Sequence, residues 1–252
     1  MDDHLAIVYM TPEVQTTCLT YGLCTEKEET LVLLAGYFGY ENFQTIAHVT
    51  RSIVTTRKDK SKDRVEVDPE QMSLAMTEAD SAGLNLVGWA HSHPHITVNP
   101  SHVDLRTQFN MQTLDPRFFG IIVSCFNNDA GTQRFQVTCF QTIETEHGQI
   151  ERVVPLLIRP ANPGLLVTDG LTQVQAIPRQ LFKEEAEGFD NRQCGPTTGL
   201  AAHLCAGIHT HTLSNLVDKM TGPMLTHLKI RYDTNMKQIE MLDKRRGTRS
   251  SI

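Results

Sequence analysis

The chain has 252 residues, of which 40% are hydrophobic and 21% charged, with a formal net charge of −6. This is the balance of an ordinary globular protein with room for one large domain or one domain plus an appendage. The negative charge leaves no electrostatic footprint for nucleic acid, and no apolar stretch approaches the ~20 residues that cross a bilayer.

The six cysteines, Cys18, Cys24, Cys125, Cys139, Cys194 and Cys205, show neither C-x-x-C spacing nor a dense framework. A reduced chain of the cytoplasm or nucleus is therefore expected. The acidic start Met1-Asp2-Asp3-His4 carries no signal-peptide pattern.

Pro12 and Glu13 open a helix, with Val14, Cys18 and Leu19 at helical spacing, that ends around Gly22 to Thr25. Glu29 to Tyr37 reads as a strand, and Phe43 to Thr56 as the next rung of a mixed sheet. Five lysines and arginines between Arg57 and Arg64 alternate with acids in an exposed turn. Pro69-Glu70-Gln71, with Asp68 as its cap, opens a helix to about Ala82.

The most informative stretch follows. Leu84, Leu86, Val87 and Trp89 form a buried strand, and His91 and His93 fall where it runs out. If the extended backbone continues, both imidazoles point to one side. Pro100 stops that segment, and Ser101-His102-Val103-Asp104 starts a helix to about Leu114. A carboxylate in its first turn can reach back to the strand end. Two imidazoles and a carboxylate would hold a tetrahedral zinc whose fourth position stays open for water. The alternative reading of Ser101-x-x-Asp104 is an N-terminal cap. His95 and His102 read as surface residues.

Phe118 to Phe126 and Gln133 to Gln141 are two more strands joined by the turn 127–131, and Val153 to Ile158 is the last. The Pro/Gly-rich segment 160–164 marks a domain boundary. Residues 1–165 then form one domain and 166–252 a helical region, with helices over 170–188, 197–206 and 213–221. After Gly222-Pro223, the residues Leu225, Leu228, Tyr232, Asn235, Ile239 and Leu242 alternate gaps of three and four, a heptad seam of about 27 Å with one polar position. It serves either a partner helix or docking on its own domain. No internal repeat or low-complexity tract interrupts the chain.

His91-x-His93, seven residues, then Ser101-x-x-Asp104 resembles the JAMM motif of the MPN+ metalloproteases, which remove ubiquitin or ubiquitin-like proteins. The family places a glutamate before its first long strand, and Glu29 occupies that place. Segments 25–29, 62–66, 69–71, 91–108 and 124–126 resemble one subfamily closely, the lysine-63-linkage-specific deubiquitinases that are catalytic subunits of BRISC and of an Abraxas-containing DNA-repair complex. Val32 departs from the pattern, standing where the family usually has glycine.

The resemblance implies an α/β MPN fold, a mixed sheet flanked by helices with a C-terminal helical region and short coiled coil. It further implies one Zn2+ on His91, His93 and Asp104, with Glu29 and Ser101 as catalytic residues. The implied partners are a polyubiquitin substrate and an Abraxas-type MPN- protein, within a larger hetero-oligomer such as a dimer of heterodimers, with no nucleic acid or membrane partner. It also implies that segment 57–64 flanks the groove for the ubiquitin chain. The competing reading is a non-catalytic MPN scaffold or ubiquitin-binding subunit. H-E-x-x-H is absent, and H-x-E with a later P-C-x-x-C is absent too, so the zincin and zinc-deaminase patterns do not apply.

Overall fold

The computed structural model describes residues 4–55, 69–129, 132–146, 148–159, 168–192, 199–218 and 222–249. The basic turn 57–64, the cap Asp68 and the boundary segment 160–164 lie outside them. Alternating and continuous apolar runs build eight strands: β1 (Leu5–Met10), β2 (Leu31–Glu41), β3 (Gln44–Val54), β4 (Asn85–Pro94), β5 (Phe119–Asp129), β6 (Thr132–Thr145), β7 (Gly148–Val153) and β8 (Leu156–Ile158). The helices are α1 (Pro12–Gly22), α2 (Pro69–Ser81), α3 (His102–Leu114), α4 (Thr168–Arg192), α5 (Leu200–Leu216) and α6 (Gly222–Arg249). The chain divides into two compact units, 1–180 and 181–252.

In the first unit the strands form one mixed sheet in the order β7-β6-β5-β4-β2-β3-β1-β8. Pairs β1/β3, β1/β8 and β4/β5 are parallel. β7 and β8 occupy opposite ends of this order, yet only Val154 and Pro155 separate them. The Val154 N–H donates to Cys139 on β6, and the Pro155 carbonyl accepts from Val8 on β1. The Leu5 N–H, also on β1, donates to Gln141 Oε1 on β6. The sheet therefore curls into a half-barrel whose two ends meet around this turn. The single strand expected over Val153 to Ile158 is two strands, because Pro155 has no N–H to continue a ladder. β1 was not expected at all.

The first half of β2, residues 31–36, is buried on both faces, which explains its continuous apolar run. Leu31, Leu33 and Ala35 pack with Trp89, with Met72, Ala75 and Ala79 of α2, and with Leu105 of α3. Val32 and Leu34 face the other way and are also buried. Val32, in place of the family's glycine, sits beside the small Ala90 of β4 and Val54 of β3, and the sheet accommodates it without a register shift at that point.

In the second unit, the two helices expected over 197–206 and 213–221 are one helix, α5. Within it the Thr210 and Thr212 hydroxyls donate to the carbonyls of Ala206 and Ile208, so these side chains find their partners without interrupting the helix. α6 carries the seam: Leu225, Tyr232, Ile239 and Leu242 are all more than half exposed. No helix among the described residues is long and apolar enough to cross a membrane.

Candidate metal centre

β4 is central, and its parallel neighbour β5 can be reached only by a crossover, which α3 supplies. A crossover helix starts at the end where its strand stops, so the N-terminus of α3 stands beside His91 and His93. Strand parity does the rest. Trp89, His91 and His93 share one face of β4, and Glu29, two residues before Leu31, falls on the same face if the chain stays extended.

The side chains converge. His91 Nε2 lies 3.0 Å from His93 Nε2 and 3.2 Å from Asp104 Oδ1, and His93 Nε2 lies 3.5 Å from Asp104 Oδ2. All three residues are buried. Among the described residues, they form the one group of three or more His, Cys, Asp or Glu side chains with metal-ligand spacing. Glu29 Oε1 is 4.0 Å from His93 Nε2, in a side chain that is 11% exposed.

Each ligand is aimed by a second contact. His93 Nδ1 is 2.7 Å from the Thr97 carbonyl, which can only accept, so in the neutral ring Nε2 keeps its lone pair toward the cluster. Ser101 caps α3: its Oγ accepts from the Asp104 N–H at 3.2 Å, and Asp104 Oδ2 accepts from the Ser101 N–H at 2.7 Å. Both readings of Ser101-x-x-Asp104 thus share one geometry, since the capping box is what turns the carboxylate toward the histidines. His91 stacks on Trp89 at 4.6 Å. Trp89 Nε1 donates to Gln108 Oε1, and Gln108 Nε2 donates to the Phe118 carbonyl and to Gln112. Gln108 is fully buried. Its only sequence signal is a polar residue on the apolar side of α3, and sequence reasoning passed over it.

The electrostatics follow from burial and contact. Burial lowers His91 below the usual histidine value, despite Asp104 beside it. For His93, burial acts downward but is outweighed by Asp104, the Thr97 carbonyl and Glu29, which raise it. Burial acts upward on Asp104, yet His91, His93 and Ser101 hold its carboxyl well below the usual range.

The donor set fits a zinc ion. Two ring nitrogens and a carboxylate converge with separations of 3.0 to 3.5 Å. Corners of a tetrahedron with ligand distances of about 2.0–2.1 Å stand roughly 3.3 Å apart, close to the separations found. His95 and Glu26 pair at 3.5 Å outside the cluster, and both are more than half exposed. Buried Cys125, near the end of β4, is pushed up to about 11 by desolvation and remains a thiol. Cys18 is pushed up to about 12 for the same reason. Neither is a thiolate nucleophile.

Residues 5–117 match the family described as JAB1/Mov34/MPN/PAD-1 ubiquitin protease. Residues 170–248 match the BRCC36 C-terminal helical domain. The chain is 36% identical to the Lys-63-specific deubiquitinase BRCC36 of Xenopus tropicalis over 246 residues, covering 93% of this chain and 92% of that protein. The proteins of the same name from Mus musculus and Homo sapiens are 34% and 32% identical, covering 92% of this chain in each case and 90% and 91% of their own lengths.

Proposed function

The chain belongs to the JAB1/Mov34/MPN/PAD-1 ubiquitin protease family, and on that footing we propose that it is a zinc-dependent isopeptidase that cleaves lysine-63-linked polyubiquitin. The observation that carries the reading is the buried convergence of His91, His93 and Asp104 with Glu29 beside them.

In this reading His91 Nε2, His93 Nε2 and an Asp104 oxygen hold the zinc. Bound there, zinc lowers the pKa of a water to roughly 7 and polarises the scissile carbonyl. Glu29 takes the proton of the attacking water on its carboxylate and returns it to the departing lysine amine. Ser101 uses an Oγ lone pair for the cap, which leaves its hydroxyl proton to donate to the developing oxyanion. In this reading water is the nucleophile and no acyl-enzyme forms.

The relatives' activity as Lys-63-specific deubiquitinases, as their name states it, supports the linkage preference, and the match over 170–248 supports a role for residues 166–252 in assembly. The partner in this reading is an Abraxas-type MPN- protein that covers the exposed α6 seam, within a larger hetero-oligomer, and cleavage depends on it. The chain works in the cytoplasm, the nucleus or both.

Elemental analysis tests the proposal. About one zinc per chain is expected in the wild type and none in His91→Ala plus His93→Ala. Undiminished zinc in the double variant would overturn the ligand assignment. A wild type that takes up no zinc would favour the non-catalytic scaffold.

A further inference from the structure

We propose that Ser92, the residue between the two histidines, is a positioning residue for Glu29. Its hydroxyl locks the backbone of Thr30, which delivers the Glu29 side chain to the metal face. The inference rests on the reading of Glu29 as the general base.

Ser92 is 1% exposed, and by strand parity it points away from His91 and His93, so it touches neither metal nor substrate. It meets Thr30 instead. The Ser92 N–H donates to the Thr30 carbonyl at 3.0 Å, as an antiparallel pair requires. The reciprocal bond is different, because the Thr30 N–H donates to Ser92 Oγ at 2.9 Å where a ladder would use a backbone carbonyl. Thr30 Oγ1 donates to the same oxygen at 3.1 Å.

The side chain thus extends the β2/β4 ladder by one residue just where the backbone leaves the sheet toward α1. Glu29 is the next residue. On the other side, Gly22 at the end of α1 leaves so little room that an added Cβ there would stand 3.2 Å from Ser92 Cβ. One residue further on, the Leu31 carbonyl accepts from Thr55 Oγ1 at 3.0 Å, and the Thr55 carbonyl accepts from Tyr21 Oη at 3.1 Å. The backbone beside Glu29 is therefore tied at two consecutive residues. Of the two ties, the one at Ser92 is the nearer to Glu29.

The test uses Ser92→Ala in the full chain, with Ser52→Ala as control, since Ser52 also loses a buried hydroxyl hydrogen bond but to Gln173, away from the cluster, while its backbone N–H keeps its own bond to Gln173. In metal-free protein, amide hydrogen exchange over 26–31 should accelerate in Ser92→Ala, while α3 and β5 keep their protection and Ser52→Ala matches the wild type. In zinc-loaded protein assembled with its partner, Ser92→Ala should keep its zinc and its KM, with kcat lower by about 10²-fold. Unchanged exchange over 26–31, an unchanged kcat, or an equal loss of kcat in Ser52→Ala would each overturn the proposal. Glu29→Ala separates the two levels. If it turns over normally, the general-base reading fails and this inference with it. If it is inactive while Ser92→Ala is normal, only this inference fails.

Discussion

Ser101 caps α3 and, in the proposed mechanism, also donates to the oxyanion, and the two roles can be measured apart. Ser101→Ala should cost ~1 kcal/mol of stability in denaturant melts through the lost cap. In the zinc-loaded enzyme it should also lower kcat by roughly 10²–10³ through the lost oxyanion donor. A variant that loses only stability would leave Ser101 as a cap alone. Gln108 is a test of the scaffold behind the site. Gln108→Leu strands the Trp89 indole N–H, while the Phe118 carbonyl keeps its bond from Gln141 Nε2, and burial without a partner costs on the order of 1–3 kcal/mol for such a group. A urea midpoint equal to that of the wild type would show that the network carries no such weight. The spacing of His91, His93, Ser101 and Asp104 was readable because strand parity and one helical turn convert sequence distance into direction. Gln108, Ser92 and the Thr97 carbonyl were not, since their partners lie on other elements or are backbone atoms that any residue supplies.

Among the elements, α3 is fixed at both ends. Its C-terminal end is closed by Asp115, which pairs with Arg117 at 2.7 Å, while Arg117 lies 4.2 Å from the Phe38 ring on β2. Burial acts to raise Asp115, but the hydrogen bonds and charge of Arg117 hold it below the usual carboxylate range. A carboxyl depressed in the folded state adds stability above its unfolded value, and that stability is lost as pH falls through the folded one. Wild type should therefore exceed Asp115→Asn by at most about 1 kcal/mol at neutral pH, the pair being partly exposed. The gap should close in acid melts. A gap that widened toward low pH would contradict the pairing. Most strands and helices were legible from period and turn residues. β1 and the β7/β8 division were not, because a short apolar run takes its meaning from the distant strands that flank it. The continuity of α5 across 207–212 was not legible, since threonine hydroxyls compete with a helix in some settings and here bond back within it.

For the whole molecule, the exposed seam of α6 is the feature that a free chain leaves unexplained. Burying Leu225, Ile239 and their neighbours on a partner would contribute ~1.5–3 kcal/mol for each fully covered side chain. Leu228→Glu with Ile239→Glu should abolish assembly with an Abraxas-type protein in light scattering, and cleavage with it. Normal assembly by this variant would remove the seam from the account. The most direct measurement of the central claim is the rate of lysine-63-linked diubiquitin cleavage by the zinc-loaded, partner-assembled enzyme carrying Glu29→Ala. The account predicts a full complement of zinc and loss of cleavage, because Glu29 lies outside the ligand set but moves a proton in every turnover. Cleavage within a few-fold of the wild-type rate, with zinc in place, would contradict it.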